Sequence, residues 1–324
     1  MDLIALVRAL HLGAVAVLIG GLAFPLLVLP LRRVPQPQHA ALSDWLARLR
    51  LYATWVALAT WLAWLAPVAM AMSGLGMAQA LRPGVLELVL AQTRFGHVWL
   101  VRCALLLLLA GWLAWTRPRA ARASGRDAIG LALAAALLVS QVFAGHATAA
   151  PASHVVADAL HLAAAAVWIG CLPPLLFVLA RARAGAAPWD ALALAAARGF
   201  TGMGVLAVAV LAVSGFLNGR MMVGSLQALV DTGYGRLILA KIVLFAVLLA
   251  LAANNRLRLT PLLASDPAHR LVAARRLWRT VAAELVLGAA IFGIVGVLAG
   301  SEPPAHRDDG PGAMQDHMGA RMPE

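Results

Sequence analysis

Apolar residues run almost without interruption for about twenty positions at a time along this 324-residue chain. Coiled at ~1.5 Å per residue, such a run matches the ~30 Å hydrocarbon core of a bilayer. The apolar positions are continuous rather than alternating, which fits a helix and not a strand of a closed barrel. A helix also satisfies its own backbone groups in lipid. The pattern predicts an all-α integral membrane protein with eight transmembrane helices, near residues 3–31, 50–72, 96–116, 128–145, 154–180, 199–218, 236–255 and 280–300.

The pattern repeats itself. ALHLGAVAVLIG at 9–20 returns as ALHLAAAAVWIG at 159–170, with His11 and His161 in register. Over 9–33 against 159–183 there are 14 identities, ending on Arg33 and Arg183. TRFGHVWLVR (93–102) then parallels TGYGRLILAK (232–241), which aligns Arg102 with Lys241. MAQAL (77–81) against SLQAL (225–229) is a weaker third match. Three matches in one order indicate a duplication. The expected organisation is two parallel four-helix repeats, residues 1–150 and 151–300, followed by a polar tail, 301–324. Four helices is an even number, so both repeats keep one orientation, related by a pseudo-twofold along the membrane normal.

Composition agrees with a membrane protein: 62% of residues are hydrophobic and 12% are charged. The net charge of +12 comes from cations that punctuate the gaps between spans, which speaks for orientation in lipid and against a nucleic-acid partner. Connections 32–49, 117–127, 181–198 and 256–279, with Arg50 at a span edge, hold most of the 26 Arg and Lys. The opposite connections and the tail hold only Arg82, Arg94, Arg220, Arg236, Arg307 and Arg321. The positive-inside rule then puts both termini outside the cytoplasm, in the periplasm of a bacterial inner membrane. Asp2 and a long first apolar run argue against a cleaved signal peptide. Cys103 and Cys171 fall within spans and read as small core residues rather than a disulfide.

Ionisable residues inside spans are rare and are functional candidates by default. His11 and His161 lie in the outer third of spans one and five, at a depth similar to that of Arg102 and Lys241. The connection 144–162 adds His146, His154 and Asp158, and 154, 158 and 161 fall on one helical face. His97 opens span three on the same side. Of the nine Met other than Met1, eight lie in the expected outer half, Met221 and Met222 among them, and imidazole with thioether suits copper. The tail carries His306, Met314, His317, Met318 and Met322, a loose outer set for metal capture. Asp158 would orient a ligating imidazole as an acceptor. The one acid deep toward the other face, Glu284, is expected to pair with an arginine such as Arg279.

These segments resemble a known family. GHA, ADALHLAAAAVWIGCLPPLLF, RGFTGMGVLAVAVLAVSGFLNG and TGYGRLILAKIVLFAVLLALAANNRLRLTPLL, all between 145 and 264, are similar to the copper resistance protein D (CopD) family. The resemblance implies an eight-helix inner-membrane protein that takes copper, Cu(I) or Cu(II), from the periplasm toward the cytoplasm. It also implies a separate periplasmic copper chaperone of the CopC type as a partner. A transporter is expected rather than an enzyme, with His146, His154 and His161 as first ligands and His11, His97, Met221 and Met222 next. One physical objection favours an alternative. Arg102 and Lys241 would repel a copper cation in a shared cavity, whereas they would suit the propionates of haem b, with His11 and His161 as axial ligands. The histidine in span one and cation in span three of each repeat also resemble a four-helix membrane family linked to haem.

Overall fold

The structure, a computed structural model, describes residues 3–116, 123–142, 152–185, 187–223 and 225–301. His146 and the tail residues His306, Met314, His317, Met318 and Met322 lie outside them. The described residues are predominantly helical and contain no strand. In chain order the helices are α1 (Leu3–Ala23, prolonged by a π-helical turn to Val28), α2 (Gln38–Ser73), α3 (Met77–Ala80), α4 (Pro83–Gln92), α5 (Arg94–Thr116) and α6 (Ala123–Val139). Then come α7 (Ala152–Gly170), α8 (Leu172–Ala182), α9 (Ala187–Val223), α10 (Leu226–Asp231), α11 (Gly233–Asn254, prolonged by a π-helical segment Asn255–Leu259), α12 (Thr260–Leu262) and α13 (Pro267–Leu298).

Seven helical stretches among the described residues are long and apolar enough to cross a membrane: Leu3–Val28, Gln38–Ser73, Arg94–Thr116, Ser153–Ala182, Pro188–Val223, Gly233–Leu262 and Ala268–Leu298. The fourth expected span, 128–145, appears as α6, whose 17 described residues begin five positions earlier than expected. At ~1.5 Å per residue α6 is about 25 Å long, short of the ~30 Å core. The fifth span is not one straight helix. It breaks at Cys171, where Pro173 and Pro174 open α8, because proline supplies no amide to the preceding turn.

Spans two, six and eight start 12 or 13 positions earlier than the hydropathy boundary, at 38, 187 and 267. The Arg-bearing stretches read as connections are amphipathic first turns of these helices. Leu42 and Leu46, Ala193 and Ala196, and Ala273 and Leu277 are buried at three- or four-residue spacing, while the arginines face outward. Asp266 caps α13 by accepting the His269 amide hydrogen bond.

Contacts fix an up-and-down arrangement. His11 meets Ala57 and Thr60 while the Gly21 carbonyl meets Arg50, so α1 and α2 run antiparallel. Arg102 reaches Leu137 and Trp112 reaches Arg126, which sets α5 against α6. His161 meets Ser214 and Asp158 meets Asn218, which sets α7 against α9. Gly296 lies against Ala5 and Ala9, and Gly300 against Arg8, so the two ends of the described chain meet at one end of the bundle.

Two apolar cores share α1 and α7. One centres on Leu18, Leu22, Trp61, Leu106 and Leu137, the other on Phe24, Trp168, Leu172, Val178 and Leu277. At their junction α1 and α7 touch backbone to backbone. A methyl group on Gly20 would overlap the Gly170 carbonyl, and one on Gly170 would overlap the Ala16 carbonyl. Gly20 and Gly170 are the aligned partners of the first sequence match. The outward faces are apolar too: Leu107, Leu108, Leu206, Val213, Phe216, Val243 and Val286 are all more than half exposed. Only 6% of the apolar window of Gly233–Leu262 is buried within the chain, so lipid is the medium that face requires.

The second sequence match produces one local structure twice. Thr93 Oγ accepts from Gly96 N at 3.0 Å, and Thr232 Oγ accepts from Gly235 N at 2.9 Å. Both hydroxyls donate back, to Val89 O at 2.6 Å and Ala228 O at 2.7 Å. Gly96 and Gly235 let the preceding short helix press against the helix start, where a Cβ would strike backbone. Thr93→Ala and Thr232→Ala should each cost about 1 kcal/mol as lost caps, seen as a lower apparent melting temperature in detergent, whereas Thr→Ser, which keeps the hydroxyl, should avoid most of that loss.

Candidate functional site

Two histidine-centred clusters lie at the end of the bundle where the described chain begins and ends. In the first, His11 is fully buried. Its Nδ1 lies 3.0 Å from Ala57 O and 3.2 Å from Thr60 Oγ1, and its Nε2 lies 2.7 Å from Arg102 Nη2. The guanidinium can only donate, so Nε2 accepts and Nδ1 carries the proton that Ala57 O accepts. Arg102, 1% exposed, also donates to Leu137 O and Ser140 Oγ, both at 2.9 Å, and stacks 4.3 Å from the Trp61 ring centroid. Trp61 and Trp99 wall this cluster with reciprocal indole-to-carbonyl hydrogen bonds. No acid pairs with Arg102 among the described residues. Both ring nitrogens of His11 are engaged, so a metal or haem iron would have to displace Arg102 or the α2 backbone.

The second cluster is built differently. His154, Asp158 and His161 follow one another along α7 with i, i+4, i+7 spacing; His161 and Asp158 meet Ser214 and Asn218 of α9, and Met222 stands one turn further along α9. His161 Nδ1 lies 3.0 Å from Ser214 Oγ, and Asn218 Nδ2 donates to Asp158 Oδ1 at 3.3 Å. Tyr234 and Lys241 close the cluster from α11. The Tyr234 hydroxyl donates to Met222 Sδ at 3.3 Å, and Lys241 lies within electrostatic range of Asp158 and His161. Two buried atoms here have no protein partner, His154 Nδ1 and Asn218 Oδ1. Among the described residues no arginine holds His161 as Arg102 holds His11.

Of the residues expected from sequence, the structure brings His154, Asp158, His161 and Met222 to one place, with Lys241. It does not bring His11 or Arg102 there. His97 is exposed and turns back to Ala91 O at 3.1 Å, and Met221 is 39% exposed beside Met222. Among the described residues no three His, Cys, Asp or Glu side chains converge closely enough to hold a metal by themselves. Ser214, Asn218 and Tyr234 were not singled out from sequence, although two polar residues four apart within SGFLNGRMM were a readable signal. The expected Glu284–Arg279 ion pair does not form. Glu284 accepts instead from Asn255 Nδ2 at 2.6 Å, because the arginines of α13 lie on its outward face and Glu284 on its inward one.

Two family models cover most of the chain. Residues 1–155 match that of the copper resistance protein D-like N-terminal domain, and 194–298 match that of copper resistance protein D. Inner membrane protein YebZ of Escherichia coli (strain K12) is 30% identical over 71% of this chain and 76% of that protein. The chain belongs to the copper resistance protein D family. Copper resistance protein D of Pseudomonas syringae pv. tomato is 29% identical over 67% of the chain and 71% of its own length. Copper transport protein CutJ of Bacillus subtilis (strain 168) is 32% identical over 56% of the chain, and this chain spans only about a third, 34%, of that protein. No solved structure matches the chain. Family membership and the apolar helices make this a multi-pass membrane protein of the copper resistance protein D family.

Proposed function

We propose that the protein binds copper at the end of the bundle where its described ends meet, that this end faces the periplasm, and that copper passes from there toward the cytoplasm. The arginine bias supports that orientation in a bacterial inner membrane, with α6 as the eighth span. The matching Thr–Gly caps and the Gly20–Gly170 contact support two fused four-helix repeats. The observation that carries the site is the pairing of the His154–Asp158–His161 face of α7 with the Ser214–Asn218–Met222 face of α9, where two buried ligand-type atoms lack partners.

In this reading the two repeats have separate tasks. Arg102 seals His11 and makes the first half a rigid wall. The second half keeps the copper-facing imidazoles, with Asp158 offsetting Lys241 and Met222 supplying a soft sulfur for Cu(I). His146, Met221 and the tail residues His306, Met314, His317, Met318 and Met322 act as capture ligands on the periplasmic side, and His97 is a peripheral member of that set. A CopC-type chaperone would deliver copper to this face. The role is transport, with no reacting bond assigned to any residue.

The test is a metal analysis and absorption spectrum of the protein truncated after 301 and purified from cells given copper and a haem precursor. Bound copper without a Soret band is the expected result. A Soret band that shifts on reduction would overturn the copper reading and make the buried histidines haem ligands.

A further inference from the structure

One buried acid belongs to neither histidine cluster. Glu284 lies midway along α13 and is 1% exposed. Asn255 Nδ2 donates to its Oε1 at 2.6 Å, and Asn255 Oδ1 in turn accepts from Thr280 Oγ1 at 2.6 Å. The other oxygen, Oε2, is buried with no partner. Among the described residues no cation offsets the group. Arg276 and Arg279 of α13 and Arg256 and Arg258 of the π-helical segment are exposed. Arg183 at the end of α8 stacks on Trp278 at 3.8 Å, and Arg181 on Phe177 at 5.2 Å. On α1 the one charged side chain, Arg8, packs at the far end of α13 by Gly300. From α7, His154, Asp158 and His161 face α9 and α11, and α12 brings no charge.

An ionised carboxylate in such a place loses its hydration and gains one hydrogen bond, a poor exchange in a low-dielectric interior. A single spare oxygen is also too few ligands for a metal ion, which draws on several. A proton needs only one. We infer that Glu284 is a proton-binding site in the cytoplasmic half of the bundle, held as the neutral acid with its proton on Oε2. Asn255, which fixes Oε1, stands at the first position of the π-helical segment Asn255–Leu259. Such single-turn irregularities leave backbone carbonyls off the regular ladder and recur at functional positions. This one gives the proton a route to the cytoplasmic face when that turn shifts, by breaking the Glu284 O–H bond and passing the proton to water. The inference does not depend on which residues hold copper.

The test is infrared difference spectroscopy of the full-length protein in lipid vesicles at neutral pH, wild type against Glu284→Gln. Gln keeps the shape and the acceptor that Asn255 uses. The expected result is a protonated-carboxyl C=O stretch in wild type that is lost in Glu284→Gln and that shifts down on transfer to D₂O. A difference spectrum showing only the loss of ionised-carboxylate bands would overturn the neutral acid. A protonated band that stays unshifted after prolonged exposure to D₂O would overturn the exchange role. If Glu284→Gln fails to fold, Asn255→Leu serves in its place. Removing the donor to Oε1 should then move the same C=O band without abolishing it, and an unmoved band would overturn the assignment.

Discussion

Replacing His154 and His161 together with Ala in the protein truncated after 301 should weaken copper binding by at least 100-fold, about 2.8 kcal/mol at ~1.4 kcal/mol per factor of ten. The two imidazoles sit one above the other on α7 and nothing else in the second cluster can replace them. Asp158→Asn should do less, about tenfold, because it removes the group that orients an imidazole and not a ligand. Met222→Leu should weaken Cu(I) and leave Cu(II) nearly unchanged, since a thioether favours the softer ion. Titration of each variant with Cu(I) and Cu(II) competitors reads all three. His11→Leu is the discriminating control. Its imidazole is bonded on both sides, so it should lower stability and leave copper affinity alone. Unchanged affinity in the His154/His161 double variant would remove this site.

Gly170→Val and Gly20→Val should each prevent accumulation of folded protein. Ordinary overpacking of a core costs about 1–3 kcal/mol because side chains can shift. Here the added atoms would meet the Gly170 or Ala16 carbonyl, and backbone cannot move aside without parting α1 from α7. The expected cost exceeds about 4 kcal/mol, in the range reserved for a lost structural feature. Gly202→Ala is the control, since a Cβ there meets nothing within 4 Å, and it should melt at or slightly above wild type. Size-exclusion profiles and thermal scans in detergent would show this. A monodisperse Gly170→Val protein with wild-type melting would mean that the helices do not cross there.

The helices were legible because a bilayer demands long apolar runs, and the order of apolar residues along the chain shows them directly. Their Arg-rich ends were not. Leu42, Leu46, Ala193 and Ala273 continue the buried stripe among arginines, and an average over a window hides a stripe. The break at Cys171 was written in Pro173 and Pro174 and was passed over because the surrounding run stays apolar. For the site, the 154–158–161 face could be read from spacing, since one helix carries it. The opposing face needed the pairing of α7 with α9, which spacing within one helix does not contain. The different tasks proposed for His11 and His161 could not be read at all. The two stretches look alike, and the difference lies in whether the cation of span three reaches the ring. A planar guanidinium with several donors bonds His11, Leu137 and Ser140 together, whereas the Lys241 ammonium stays beside Asp158.

The contact of Gly20 with Gly170 also limits how the molecule can move. Two helices touching backbone to backbone, with no side chains between them, cannot slide along each other without carbonyls riding over carbonyls. They can still rotate about the point of contact. That point acts as a pivot, and displacement grows with distance from it. His154, sixteen residues up α7 and about 24 Å from the pivot, lies at the end of the longer arm. The His154 end would therefore swing most while the middle of the bundle stayed shut.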